Sequence, residues 1–295
     1  MQLPLVSVII PCFNQADFLA EAIDGALAQN YAPMEIIVVN DRSTDATAEV
    51  AGRFGDQIRY CATAHRGLAA ARNQAIKNST GELIALLDAD DRWLPGKLAY
   101  QVERLLAAPE VAMIFSAYRC FTADKRSWTV GVQDGVRPTA HDQLHLNRAN
   151  VLTSIFRRAI FDRVGGFDES LQRCEDWDLW IRIAAVAPIM GTSKVVAEYR
   201  QHPGTLSSSN RLMLDARMKV LHKNRSLHRD CTACERSYRL GVREARAVYA
   251  ASLCAESKRQ LQSGRVWAAA KLRAAGLWHN PRSPIDRLRR RPQVT

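Results

Sequence analysis

Four times in the first 110 residues a short apolar strand-like run gives way to a polar cluster and then to helical periodicity, and few folds accommodate that alternation. Val6-Ser7-Val8-Ile9-Ile10, stopped by Pro11, predicts a buried strand, and Phe18, Ala22, Ile23, Ala26 and Leu27 then recur at helical spacing. Glu35-Ile36-Ile37-Val38-Val39 predicts a second strand, followed by a helix over 44–54 that Ser43 and Asp45 open. A third strand at 58–61 leads to a helix over 68–77, and a fourth at 83–87 leads to a helix over 96–107. Such units build an α/β fold with a mainly parallel, Rossmann-like sheet flanked by helices. Ligands of these sheets bind outside the carboxyl ends of the strands. Pro11-Cys12-Phe13-Asn14, Asn40-Asp41-Arg42-Ser43 and Asp88-Ala89-Asp90-Asp91 all fall at such ends, which predicts one shared site.

After Val111 the pattern is mixed. Strands are expected at 111–116, 153–156 and 195–199, and a short helix over 159–164 breaks at Gly165-Gly166. Cys174-Glu175-Asp176-Trp177-Asp178 opens an apolar helix. Beyond Ser207 only helical patterns remain, so an α/β domain at 1–210, with halves at 1–110 and 111–210, is expected before an all-helical region at 211–295. Charge divides at the same place. The net +11 separates into +14 for residues 211–295 and −3 for the rest. At 47% hydrophobic and 24% charged residues, disordered and fibrous chains are excluded. No run approaches the ~20 apolar residues of a membrane span, the first residues lack the basic start of an export signal, and an odd seven cysteines suit a reducing compartment. Cytoplasmic residence is therefore expected.

Two carboxylates at i and i+2, Asp88 and Asp90, suit a hard divalent cation that also holds phosphate oxygens; alternatively Asp90 or Asp91 caps the next helix. Asp41 suits a hydrogen bond from a base or ribose, or else a turn. The turn after the first strand has neither GxGxxG nor GxxxxGK[ST], which disfavours dinucleotide oxidoreductases and P-loop enzymes. Diphosphate charge must then be met by metal and basic side chains.

Val6-Ser7-Val8-Ile9-Ile10-Pro11-Cys12-Phe13-Asn14, Val39-Asn40-Asp41-Arg42-Ser43-Thr44-Asp45, Gly67-Leu68-Ala69-Ala70-Ala71-Arg72-Asn73 and Leu87-Asp88-Ala89-Asp90-Asp91 resemble, in order, the family 2 glycosyltransferases of GT-A fold. Gly165-Gly166-Phe167-Asp168-Glu169, Glu175-Asp176-Trp177-Asp178-Leu179-Trp180 and Tyr199-Arg200-Gln201-His202 resemble that family's acceptor-side elements. The resemblance implies an inverting, metal-dependent enzyme that moves a sugar from a nucleotide-sugar donor to the hydroxyl of a glycan or lipid-linked acceptor in cell-envelope synthesis. It places Pro11, Asn14, Asp41, Arg72 and Asp88 around the nucleotide, with Asp41 accepting from the base. Asp90, with His202, would ligate Mn²⁺ or Mg²⁺. Asp176 would be the general base, with Glu175 and Trp177 on the acceptor side and Asp178 as the rival carboxylate. A non-catalytic nucleotide-sugar-binding scaffold acting through the helical tail is the alternative.

In the tail, Cys231-Thr232-Ala233-Cys234 with His222 and His228 offers four zinc donors within a short segment, or two reduced thiols at a helix junction. Arg287, Arg289, Arg290 and Arg291 suit peripheral contact with anionic lipid, each worth roughly 1 kcal/mol near such a surface. No pattern for nucleic-acid binding is present.

Overall fold

The computed structural model describes residues 2–64, 66–202, 204–205, 209–228 and 230–280. The basic run at 287–291 lies outside them. The order is β1 (Val6–Cys12), α1 (Ala16–Leu27), β2 (Met34–Asn40), α2 (Thr47–Gly52), β3 (Arg59–Ala62), α3 (Leu68–Lys77), β4 (Leu83–Leu86), β5 (Arg92–Trp93) and α4 (Lys97–Ala107). Then come β6 (Met113–Thr122), β7 (Ser127–Val130), α5 (Ala140–His145), β8 (Ile155–Arg157), α6 (Arg158–Val164), α7 (Glu175–Val186) and β9 (Ile189–Gln201). Three helices follow: α8 (Asn210–Lys223), α9 (Thr232–Gln262) and α10 (Val266–His279). The chain divides into two compact units, Met1–Gln143 with Asn147–Thr205, and Leu144–Leu146 with Leu206–Thr295.

The first unit carries a nine-stranded sheet in the order β3-β2-β1-β4-β8-β6-β9-β5, with β7 paired to β6. The first four strands in that order are parallel, as are β6 and β9, whereas β8, β5 and β7 each run against their neighbours. Side chains alternate across a strand, and both faces are buried. Val6, Val8, Ile10 and Cys12 point to the face covered by Leu19 and Ile23 of α1 and Leu98 and Val102 of α4. Ile9, Ile37, Ile84 and Leu86 point to the face covered by Ile76 of α3, Ile160 of α6 and Trp180 of α7. Each such residue contributes about 1.5–3 kcal/mol when fully buried, so the runs read as continuously apolar.

Pro11 does not stop β1, which continues to Cys12 in register with Asn40. The Ile9 carbonyl accepts from Leu87 N and the Cys12 carbonyl from Asp41 N, so alternation aims the Pro11 backbone at the β4 side, just past the last β1–β4 pair. No ladder bond is lost there. α2 starts later than expected, because the Asp45 carboxylate accepts from Thr47 N and Oγ1 and from Ala16 N instead of opening a helix at residue 44. β9 begins six residues before the expected strand, at Ile189, where β6 carries the pairing through Gly191 and Thr192. In the second unit α9 ends at Gln262 and the chain turns at Gly264, φ +75°. Among the described residues no helix is long and apolar enough to cross a membrane.

At the amino end of the sheet Glu35 gathers β1, β2 and the start of β4. Its carboxylate accepts from Ser7 Oγ at 2.7 Å, Thr80 N at 2.6 Å, Gly81 N at 3.1 Å and Arg59 at 2.8 Å. Gly81 sits so close that a Cβ there would lie 2.6 Å from Ser7 N and 2.8 Å from the Leu5 carbonyl. Backbone cannot give way as a side-chain tip can. Gly81→Ala is expected to lower stability by about 1–3 kcal/mol or more, read as a shift in the urea midpoint.

Candidate active site

The register of the parallel strands brings their carboxyl ends level, with Cys12 opposite Asn40 and Ile9 opposite Leu86. The loops beyond brace one another. Asn14, at φ +51°, donates its N–H to Ser43 Oγ and accepts the Thr44 N–H on its side-chain oxygen at 2.8 Å. Asp41 is 3% exposed, and its carboxylate accepts from Thr63 Oγ1 at 2.6 Å and from the N–H groups of Arg66 and Gly67 at 3.0 Å each. It therefore shapes the loop ahead of α3.

Arg72, on the buried side of α3, is 1% exposed. Its guanidinium holds Asp88 at 2.5 Å with one arm and Glu175 with the other, under the Phe167 ring. Arg72 was expected to help hold the nucleotide, and the structure places it behind the carboxylates, so any such hold passes through Asp88. The turn at Gly165-Gly166-Phe167 latches onto α3: Asn73 Nδ2 donates to the Phe167 carbonyl and Asn73 Oδ1 accepts the Phe167 N–H, both at 2.9 Å.

Glu175 and Trp177, expected on the acceptor side, are each 4% exposed. Glu175 is spent on Arg72, and Trp177 Nε1 donates to the Gln143 carbonyl at 2.6 Å, so this indole presents no face for stacking. Trp93 and Trp180 are buried as well; Trp93 Nε1 donates to Leu152 O, while Trp180 meets Phe156 edge-on. Asp178, the rival base, is fully buried and pairs with Arg182 at 2.8 Å, whose other N–H groups hold the Val164 and Gly166 carbonyls. Asp178 is structural. Asp176 alone in the first turn of α7 is half-buried, with Asn147 Nδ2 at 3.4 Å from its carboxylate. Burial and the neighbouring Glu175 push its pKa up to about 7, against the pull of Arg72.

Asp90 and Asp91 do not cap a helix, because β5 intervenes and α4 opens at Gly96 without a side-chain cap. Asp90, 8% exposed, lies 2.9 Å from His202 Nε2. Burial and the charge of Asp88 raise its pKa. A carboxylate and an imidazole side by side, with a second carboxylate near enough to repel the first, form an oxygen and nitrogen donor set that suits a hard or borderline divalent cation. Arg200, to which the motif alone assigns no role, and Asp91, expected only as a helix cap, both belong to this group. Arg200 Nε donates to the Asp90 carbonyl and its backbone N–H to Asp91 Oδ1, each at 2.8 Å. The other oxygen of Asp91 is buried without a partner among the described residues, and burial beside Asp90 holds this carboxyl well above the usual range. The signal was present in Tyr199-Arg200-Gln201-His202, where only the histidine drew attention.

Residues 7–165 match the Glycosyl transferase family 2 model. The chain is 35% identical over 211 residues to an uncharacterized glycosyltransferase of Rickettsia prowazekii, covering 68% of this chain and 64% of that protein's length. It is 31% identical over 210 residues to the Escherichia coli UDP-Glc:alpha-D-GlcNAc-diphosphoundecaprenol beta-1,3-glucosyltransferase WfaP, covering 70% of this chain and 80% of the relative. In fold it resembles the mannosyltransferase PcManGT of Pyrobaculum calidifontis, solved with GDP-Man and Mn²⁺, at a TM-score of 0.57 and 20% identity, covering 97% of this chain and 88% of that one.

Removing one partner of a buried ion pair leaves a charge stranded. Arg72→Ala is expected to cost about 3–5 kcal/mol by urea unfolding, and adding Glu175→Gln to it should recover part of that loss.

Proposed function

Because the chain belongs to glycosyl transferase family 2, we propose that it transfers a sugar from a nucleoside-diphosphate sugar to an acceptor hydroxyl with inversion, Asp176 acting as general base. One observation carries this reading: the Arg72 fork binds Asp88 and Glu175 together, which brings the carboxylates beyond β4 to the first turn of α7. Nucleotide side and acceptor side thus meet in one cluster.

The acceptor hydroxyl gives its proton to Asp176 as its oxygen bonds to the anomeric carbon, and the bond to the nucleoside diphosphate breaks with its electron pair on the departing oxygen. Attack from the face opposite the leaving group inverts that carbon in one step. Asp41 and Asn14 border the nucleobase, with Pro11 at the strand end beneath, and Asp88 faces the ribose side. Asp90 and His202 are the residues to hold Mn²⁺ or Mg²⁺, which when bound neutralises charge on the diphosphate as a Lewis acid. Arg200 keeps the Asp90 loop and the His202 segment in one arrangement. The WfaP relative's lipid-diphosphate acceptor and the +14 of residues 211–295 support a lipid-linked glycan acceptor at an anionic, cell-envelope membrane face.

A base works only when deprotonated, and the Asp176 pKa is raised to about 7, so kcat/KM should fall as pH drops through about 7, well above the ~3.9 of an ordinary aspartate. In Asp176→Asn the acidic limb should vanish and the rate drop about 10²–10⁴-fold, while a profile unchanged by the substitution would overturn the base assignment. Thermal-shift titration with a panel of UDP- and GDP-sugars is expected to show stabilisation with Mn²⁺ and little in excess chelator. Equal stabilisation in both conditions would count against the role of Asp90.

A further inference from the structure

Outside this cluster, the described residues of the helical unit hold a second group of chemically capable side chains. His228, Cys231 and Cys234 present one ring nitrogen and two sulfurs that all lie within 4.8 Å of one another. His222, which the sequence joins to them, sits in the last turn of α8 and does not share the group. We propose that His228, Cys231 and Cys234 bind a structural zinc ion.

Three features favour a metal over two idle thiols. First, Cys231 is the N-cap of α9 and Cys234 lies in its first turn, so the i, i+3 spacing turns both sulfurs to one side. Second, backbone N–H groups of that turn, from Cys234 and Ala233, point at the Cys231 sulfur and can hold a ligating sulfur in place. Third, His228 Nδ1 already stands 3.4 Å from Cys234 Sγ, with Asp230 at φ +51° turning the chain between them. In a tetrahedral site with Zn–S of about 2.3 Å and Zn–N of about 2.0 Å, donors stand roughly 3.5–3.8 Å apart, so the group needs little rearrangement. Neither cysteine is in a disulfide. Binding Zn²⁺ displaces a proton from each and leaves a neutral bis-thiolate with imidazole and one further donor, water or side chain. Two sulfurs with imidazole match zinc, in contrast to the oxygen-rich set at Asp90. The ion would tie His228, beyond the end of α8, to the start of α9.

The experiment uses the full chain, reduced, desalted and titrated with Zn²⁺ and separately with Co²⁺, whose thiolate charge-transfer band reports sulfur ligation and ignores the Asp90 site. Wild type is expected to retain one zinc per chain through gel filtration and to develop that band. Cys231→Ser and Cys234→Ser should weaken binding by more than the about 10–100-fold that outer-shell changes cost, with far-UV circular dichroism confirming that each variant is folded. His228→Ala should weaken binding too, and His222→Ala should not. A wild-type chain that takes up no stoichiometric zinc and shows no cobalt–thiolate band would overturn the proposal, as would a Cys231→Ser/Cys234→Ser variant that keeps both.

Discussion

Arg72 carries its charge in the interior of the sheet unit, where a guanidinium is tolerable only if acids meet it. Asp88 and Glu175 do so from two different elements, and Phe167 covers the group from a third. Each contact draws in a segment that would otherwise be free to sit elsewhere: the loop after β4, the first turn of α7, and the Gly165-Gly166 turn. The order in which the motifs occur along the chain therefore has a physical reason. They are successive walls around one buried cation.

A second clamp repeats the principle at the other rim. Arg200 reads the Asp90 carbonyl and the Asp91 carboxylate while its guanidinium stacks on Phe18 and Phe121. In the first cluster Asp88 and Asp176 keep part of their surface exposed while Glu175 is buried; in the second, Asp90 and Asp91 are both buried, Asp91 the more completely. The arginines arrange the carboxylates.

Much of the sheet was legible because its strands are buried on both faces, so Val6 to Ile10 and Glu35 to Val39 show as unbroken apolar runs. Two short strands with a single partner were not, although β3, also at an edge, was: β7 is a four-residue element with Trp128 exposed, and β5 has two residues defined only by Glu198 and Ala197 opposite. Site residues followed a similar division. Which strand ends carry carboxylates can be read from local pattern, but whether an arginine faces a ligand or the core depends on what lies across from it. Arg72 and Glu175 are 103 positions apart. Asp176 and Asp178 look equivalent in sequence and separate only once Arg182 is seen beneath one of them.

α7 is fixed about its own axis three times over, by Glu175 on Arg72, Trp177 on the Gln143 carbonyl, and Asp178 on Arg182. Successive helical residues differ in direction by about 100°, so no rotation satisfies these three and moves Asp176 elsewhere. Length changes in the chain are accordingly unequal in effect. Added residues in the loop before Cys174 lengthen a connection, whereas one residue inserted between Glu175 and Asp178 swings a buried acid outward and the half-buried one into apolar packing. The reading frame of this single turn is a constraint on which insertions and deletions related chains can accumulate.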